Sequence, residues 1–170
     1  LCSAPIVAVS DKISRLNVDA KGATIVFTMP PIKSKRYLEI ANTSGQGEIL
    51  YVTGLECRLN RPSTRLGGTD MVSYSGFDKY FVISPIVSSS DNMGLVFGRR
   101  DSKKDFTPSL IYVEKPIIGG WQSPDGPHDY GSIGDSGIWV VRAAKHTHII
   151  APYVRSTGDD AILVGETTDP

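Results

Sequence analysis

Gly134-Asp135-Ser136-Gly137 runs directly into the apolar segment Ile138-Trp139-Val140-Val141. A serine between glycines, preceded by an acid and followed by a β-type run, suits a nucleophile on a tight turn. Glycine lets the backbone take turn conformations that a Cβ forbids, and the N–H groups of Gly134 and Ser136 would then face an oxyanion. The same four residues equally suit an ordinary Asx-type turn ahead of a strand, with no chemistry attached.

A serine nucleophile needs a base to take its proton. His128 lies on the Gly- and Pro-rich stretch just before Ser136 and reaches it if that loop folds back. His146 and His148 flank Thr147 and so share one strand face, which reads best as an exposed face. His-x-His without a nearby Cys or clustered carboxylates is not a zinc ligand set. No metal and no cofactor is expected, and there is no phosphate-binding Gly-rich motif. Asp159-Asp160 reads as a hairpin tip. The clusters Lys33-Ser34-Lys35-Arg36, Arg99-Arg100 and Lys103-Lys104 read as solvated turns rather than phosphate contacts.

The elements that must position these residues are β throughout. Short apolar, β-branched or aromatic runs recur between Gly, Pro, Asn, Asp and Ser. The candidate strands are Ile6–Val9, Ile13–Val18, Ala23–Thr28, Tyr37–Ala41, Glu48–Thr53, Cys57–Leu59, Met71–Tyr74, Tyr80–Ser84, Gly94–Phe97, Ser109–Glu114, Ile138–Arg142, Thr147–Ala151 and Ala161–Val164. No window carries a sustained helical period, and no internal repeat is read. Two loops stand out, Asn60–Thr69 and Gly119–Gly134, the second feeding the serine motif. Thirteen short strands suit a double barrel, a sandwich or a jelly roll.

The chain of 170 residues carries no net charge, which argues against nucleic acid or an anionic membrane as partner. Its length gives one β domain, 1–170, with room for a substantial core; Pro85–Ser90 reads as a linker between subdomains 1–85 and 95–170. Apolar runs such as Ala23–Phe27 fall far short of the roughly 20 residues of a membrane span. The start at Leu1, without Met, reads as a processed or excised product. Two cysteines, Cys2 and Cys57, are too few for a disulfide scaffold and point to a reducing, intracellular setting; whether they pair is left open.

Three further segments carry a resemblance. Leu50-Tyr51-Val52-Thr53-Gly54-Leu55-Glu56-Cys57 resembles the segment that holds the catalytic His of chymotrypsin-like serine proteases. Ser75-Gly76-Phe77-Asp78 through Ile83 resembles the segment where the triad Asp precedes an apolar strand. Val96-Phe97-Gly98-Arg99-Arg100-Asp101-Ser102 is similar to a Gly-Arg stretch of small trypsin-like domains, and Gly134–Val141 with His148–Ala151 and Ala161–Val164 is similar to their C-terminal strands. The resemblance implies two antiparallel six-stranded barrels, with Glu56, Asp78 and Ser136 at the triad positions. It also implies an oxyanion hole at Gly134 and Ser136, and His148 in the specificity pocket. Glu56 stands where His is required, and a carboxylate of ordinary pKa is a poor base at neutral pH. The implied function is a catalytically impaired pseudo-protease, serving as a binding or structural module for a protein or peptide.

Two alternatives accompany that reading. One is an active serine peptidase using Ser136. The other is a viral capsid-type jelly roll, suggested by a faint likeness of Phe77-Asp78-Lys79-Tyr80, Gly94 and Asp101…Asp105…Pro108 to plant-virus shell domains.

Overall fold

The computed structural model describes residues 1–30, 36–60, 69–98, 107–119, 133–141, 144–155 and 157–165. Among these the chain winds as a parallel β-solenoid, three strands to a coil. The first coil holds β1 (Ile6–Ser10), β2 (Arg15–Asp19) and β3 (Thr24–Phe27). The second holds β4 (Arg36–Asn42), β5 (Gly47–Thr53) and β6 (Glu56–Leu59). The third holds β7 (Asp70–Ser75), β8 (Phe77–Ile83) and β9 (Ile86–Val87). The fourth holds β10 (Leu95–Phe97), β11 (Leu110–Glu114) and β12 (Ile117–Ile118). The fifth holds β13 (Ile138–Val140), β14 (His146–Ile150) and β15 (Tyr153–Val154), and β16 (Ile162–Val164) begins a sixth. Each strand pairs with its counterpart one coil later, giving three sheets: β1-β4-β7-β10-β13-β16, β14-β11-β8-β5-β2 and β15-β12-β9-β6-β3.

The register is set by the interior. Val18, Val52, Val82, Val113 and Ile149 stand in one inward column, and Cys57, Val87 and Ile118 in another. A one-residue slip would turn these columns out to solvent. The core is aromatic where the sheets meet: Tyr80 lies edge-on to Phe77 and Phe97, and Tyr74 packs on Phe97.

One corner repeats from coil to coil. The second and third sheets are joined by Gly54-Leu55, Ser84-Pro85, Lys115-Pro116 and Ala151-Pro152. The first residue of each pair has positive φ, between 49° and 63°. The second lies inward at Leu55, Pro85 and Pro116, which are buried.

This architecture overturns the chymotrypsin-like resemblance and the two antiparallel barrels it implied. It equally excludes a trypsin-like fold, the jelly-roll sandwich and the capsid-type shell. Alternating in–out burial with turn residues between strands is the usual mark of antiparallel sheets. A solenoid produces the same alternation with parallel strands, because each sheet has one face to the interior and one to solvent. The repeat is likewise present. Leu50–Cys57, Tyr80–Val87, Ile111–Ile118 and Thr147–Val154 are equivalent octapeptides, stacked in register.

Candidate functional site

The serine motif is a solenoid corner. Isolated bridges pair Ser90 with Ile133 and Ile133 with Thr157, so Asp91-Asn92-Met93, Gly134-Asp135-Ser136 and Gly158-Asp159-Asp160 stack on one another. The Gly134 N–H, assigned above to an oxyanion, donates to the Ser90 carbonyl at 3.0 Å, and the Asp135 N–H to that of Asn92 at 3.1 Å. Ser136 is 1% exposed; its carbonyl accepts from Gly94, and its hydroxyl donates to the Asp135 carboxylate at 3.4 Å. The Gly137 N–H, which an Asx-type turn at Asp135 would engage, donates instead to the Asp160 carbonyl at 3.0 Å, so the segment is held by the neighbouring coils.

The other expected site residues lie elsewhere. Glu56 is on the outer face of β6, where its carboxylate accepts the Thr24 hydroxyl at 2.9 Å. Asp78 is at the start of β8, where its carboxylate accepts the Ser109 N–H at 3.1 Å and the Ser109 hydroxyl at 2.7 Å. No hydrogen bond joins Glu56, Asp78 and Ser136 to one another among the described residues. His146 and His148 are exposed on β14. His128, the Arg99-Arg100 and Lys103-Lys104 clusters, Lys33–Lys35 and most of both long loops lie outside the described residues. Both cysteines are free thiols, and Cys57 is fully buried.

What the fold does assemble is a column of rings on the outer face of the sheet β14-β11-β8-β5-β2. Asn17, Tyr51, Phe81, Tyr112 and His148 occupy one register position on successive strands. Ring centroids are 6.3 Å apart for Tyr51–Phe81, 6.1 Å for Phe81–Tyr112 and 6.5 Å for Tyr112–His148, with planes tilted by 33° to 46°. These separations exceed the strand spacing of about 4.8 Å. The rings are therefore tilted and displaced relative to one another rather than stacked face to face. Tyr51 is 39% exposed.

The flanking columns give the ladder two different edges. On one side run Arg15, Ile49, Lys79, Leu110 and His146; on the other, Asp19, Thr53, Ile83, Glu114 and Ile150. Apolar and aromatic residues thus occupy several outward positions of this sheet: Tyr51 and Ile150 are exposed, and Ile49, Phe81, Ile83, Leu110 and Tyr112 are half-buried. The Tyr112 hydroxyl donates to Glu114 at 3.2 Å.

Beside the ladder, at the Arg15 edge, a cleft of about 400 Å³ is lined by Arg15, Gln46, Glu48, Ile49, Asp78 and Lys79. Arg15 pairs with Glu48 at 2.8 Å, and this hydrogen-bonded partner holds the Glu48 carboxyl below its ordinary value. Asp78 is turned to Ser109. Among the described residues Lys79 has no ion-pair partner.

No protein-family model, curated protein or solved structure matches this chain. The ladder was open to sequence reading all the same. Tyr51, Phe81, Tyr112 and His148 hold the same place in the four equivalent octapeptides, 30, 31 and 36 residues apart.

Proposed function

We propose that this domain is a non-catalytic carbohydrate-binding module that lays a linear polysaccharide along the solenoid axis, over Tyr51, Phe81, Tyr112 and His148. The observation that carries the reading is the outward ring ladder itself. A pyranose offers a C–H face that packs on an aromatic ring, and hydroxyls at its rim that suit tyrosine, imidazole and charged neighbours. The ladder offers one ring per coil, on strands about 4.8 Å apart with ring centroids 6.1 to 6.5 Å apart, a step of the same order as one sugar in an extended β-linked chain. A rigid, repetitive surface of this kind suits a repetitive ligand. A peptide bound by strand addition needs free backbone groups at a sheet edge, and the face of this sheet has none to give.

Titration with soluble β-linked polysaccharides tests the reading. Phe81→Ala and Tyr112→Ala each remove one stacking platform and are expected to weaken binding by about two- to tenfold. Ile117→Ala, on the outer face of the neighbouring sheet, is expected to leave it unchanged. Equal affinity in all three variants would place the ligand elsewhere.

A further inference from the structure

The three strand edges of the first coil differ. The Cys2 segment covers the edge of β3: Cys2 bridges Phe27, its N–H donates to the Val26 carbonyl at 2.7 Å, and its own carbonyl accepts the Thr28 N–H at 2.9 Å. The edge of β2 carries Arg15 and Asp19, and charges of this kind discourage strand addition. β1, Ile6-Val7-Ala8-Val9-Ser10, carries no charge, and among the described residues no strand pairs with its outer edge. Ile6 and Ala8 stand in register with the core residues Leu38 and Ile40, so Val7 and Val9 lie on the outer face, where they are 58% and 41% exposed. The Ser10 carbonyl accepts the Thr43 N–H at 3.1 Å. Backbone groups alternate sides along a strand, so Ile6, Ala8 and Ser10 turn theirs to β4, while Val7 and Val9 turn theirs outward.

We propose that two copies of this chain join edge to edge through β1, antiparallel about a two-fold axis at Ala8. Val7 of each copy then lies opposite Val9 of the other, and each such pair exchanges both of its N–H···O bonds. Ala8 meets itself at the axis, where opposed Cα atoms approach to about 4.5 Å and a small side chain fits. The rest of the coil suits the same operation. The Cys2 segment lies one side of the coil before β1, and β2 lies one side after it. The two-fold axis exchanges those sides. The Cys2 segment of each copy therefore falls one strand spacing from β2 of the other, and all three sheets run on without a gap. Head-to-tail stacking lacks this fit. Among the described residues β16 extends its sheet one strand past the level of β14. Seating β1 on β16 would hold β14 and β2 two strand spacings apart, about 10 Å. The two-fold contact also closes at two copies, whereas a head-to-tail contact continues into a filament. β1 belongs to a different sheet from the ring ladder, so the pairing stands apart from the carbohydrate reading.

Sedimentation velocity on the whole chain is expected to show a monomer–dimer equilibrium that shifts with concentration. Val9→Pro removes an outward N–H and none that β4 uses, and is expected to weaken the dimer by about ten- to a hundredfold. Val7→Lys with Val9→Lys sets like charges opposite one another and is expected to abolish it. Mixing that variant with Val7→Glu, Val9→Glu is expected to restore a pair. Ala8→Cys, in a Cys2→Ser background, is expected to form a disulfide across the axis. A native chain that stays monomeric at every concentration would overturn the proposal, as would a dimer that Val9→Pro and the paired lysines leave intact. Growth beyond the dimer, without the Ala8→Cys cross-link, would replace it by head-to-tail stacking.

Discussion

Gly134 lies directly beneath the backbone of Asp91 one coil away, so close that a Cβ on Gly134 would collide with the Asp91 carbonyl oxygen. The contact explains why a glycine precedes the aspartate and serine. It is a spacing requirement between coils, met again at Gly158 against the Gly134 carbonyl. Gly134→Ala must push two coils apart or break the Gly134–Ser90 hydrogen bond. It is expected to cost about 2–4 kcal/mol, read as a lowered urea midpoint. Unchanged stability would mean the corner can open freely.

The repeating corner gives a prediction of opposite sign. Ser84, Lys115 and Ala151 adopt φ of 51°, 49° and 49°, a region that costs a residue with a Cβ about 1–2 kcal/mol. Asparagine tolerates it better. Lys115→Asn and Ala151→Asn are each expected to raise stability, by up to about 1 kcal/mol. Gly54, at the equivalent place with φ of 63°, should lose stability as Ala. Thermal unfolding of the three variants checks the pattern, and a destabilised Ala151→Asn would contradict it.

Local structure was legible in the sequence, and its assembly was not. Every run of β-branched and aromatic residues picked out, from Ile6–Val9 to Ala161–Val164, overlaps a strand. The strands that escaped are Ile86–Val87, Ile117–Ile118 and Tyr153–Val154, two residues each and directly behind a proline. There the turn signal dominates, so Pro85 read as the start of a linker. Missing them hid the three-strand coil, and the unequal insertions between coils blurred the period. The serine motif misled for a physical reason: a tight solenoid corner and a nucleophile turn ask for the same small residues. Of the site, Tyr51, Phe81, Tyr112 and His148 were visible as residues, but only their common register makes them a ladder.

Burial sets an alkaline limit on the fold. It pushes the Cys57 thiol up to about 12, and it raises the Tyr80 and Tyr74 hydroxyls as well. In the unfolded chain a thiol ionises near ~8.5 and a phenol near ~10. Above those values the unfolded state gives up protons that the folded state keeps, so stability falls as pH rises. Below about 8.5 the contribution is fully present. The urea midpoint should hold steady from about pH 7 to 8 and decline above about pH 9. Cys57→Val should make the first part of the decline shallower. A midpoint rising through this range would contradict the burial of these groups.

The ladder also bears on stability. Phe81 and Tyr112 stand 6.1 Å apart on adjacent strands, within the range where aromatic pairs contribute about 0.5–1.5 kcal/mol beyond area burial. A double-mutant cycle on Phe81→Ala and Tyr112→Ala is expected to show coupling of this size. Tyr51 and Tyr112 are separated by the Phe81 strand, and the cycle on that pair should be close to additive. Coupling equal in both cycles would mean the rings respond to a general loosening of the sheet rather than to direct contact.

Ser136 supplies the last test, because its surroundings leave it little scope to react. A serine attacks when its hydroxyl is open to substrate and hydrogen-bonded to a base. Here the residue is 1% exposed, and its hydroxyl turns to Asp135 within the same corner. The Gly134 N–H that an oxyanion would need is held by Ser90. Glu56→His cannot supply the missing base, since residue 56 points outward from β6 beside Thr24 and Asp78 is engaged with Ser109. A fluorophosphonate is therefore expected to leave Ser136 unlabelled in the native chain and in Glu56→His alike. Ser136→Ala is expected to alter stability by no more than about 1 kcal/mol through the lost hydroxyl contact. Stoichiometric labelling of the native chain, abolished by Ser136→Ala, would show that this corner opens and finds a base, and that the domain is a hydrolase after all.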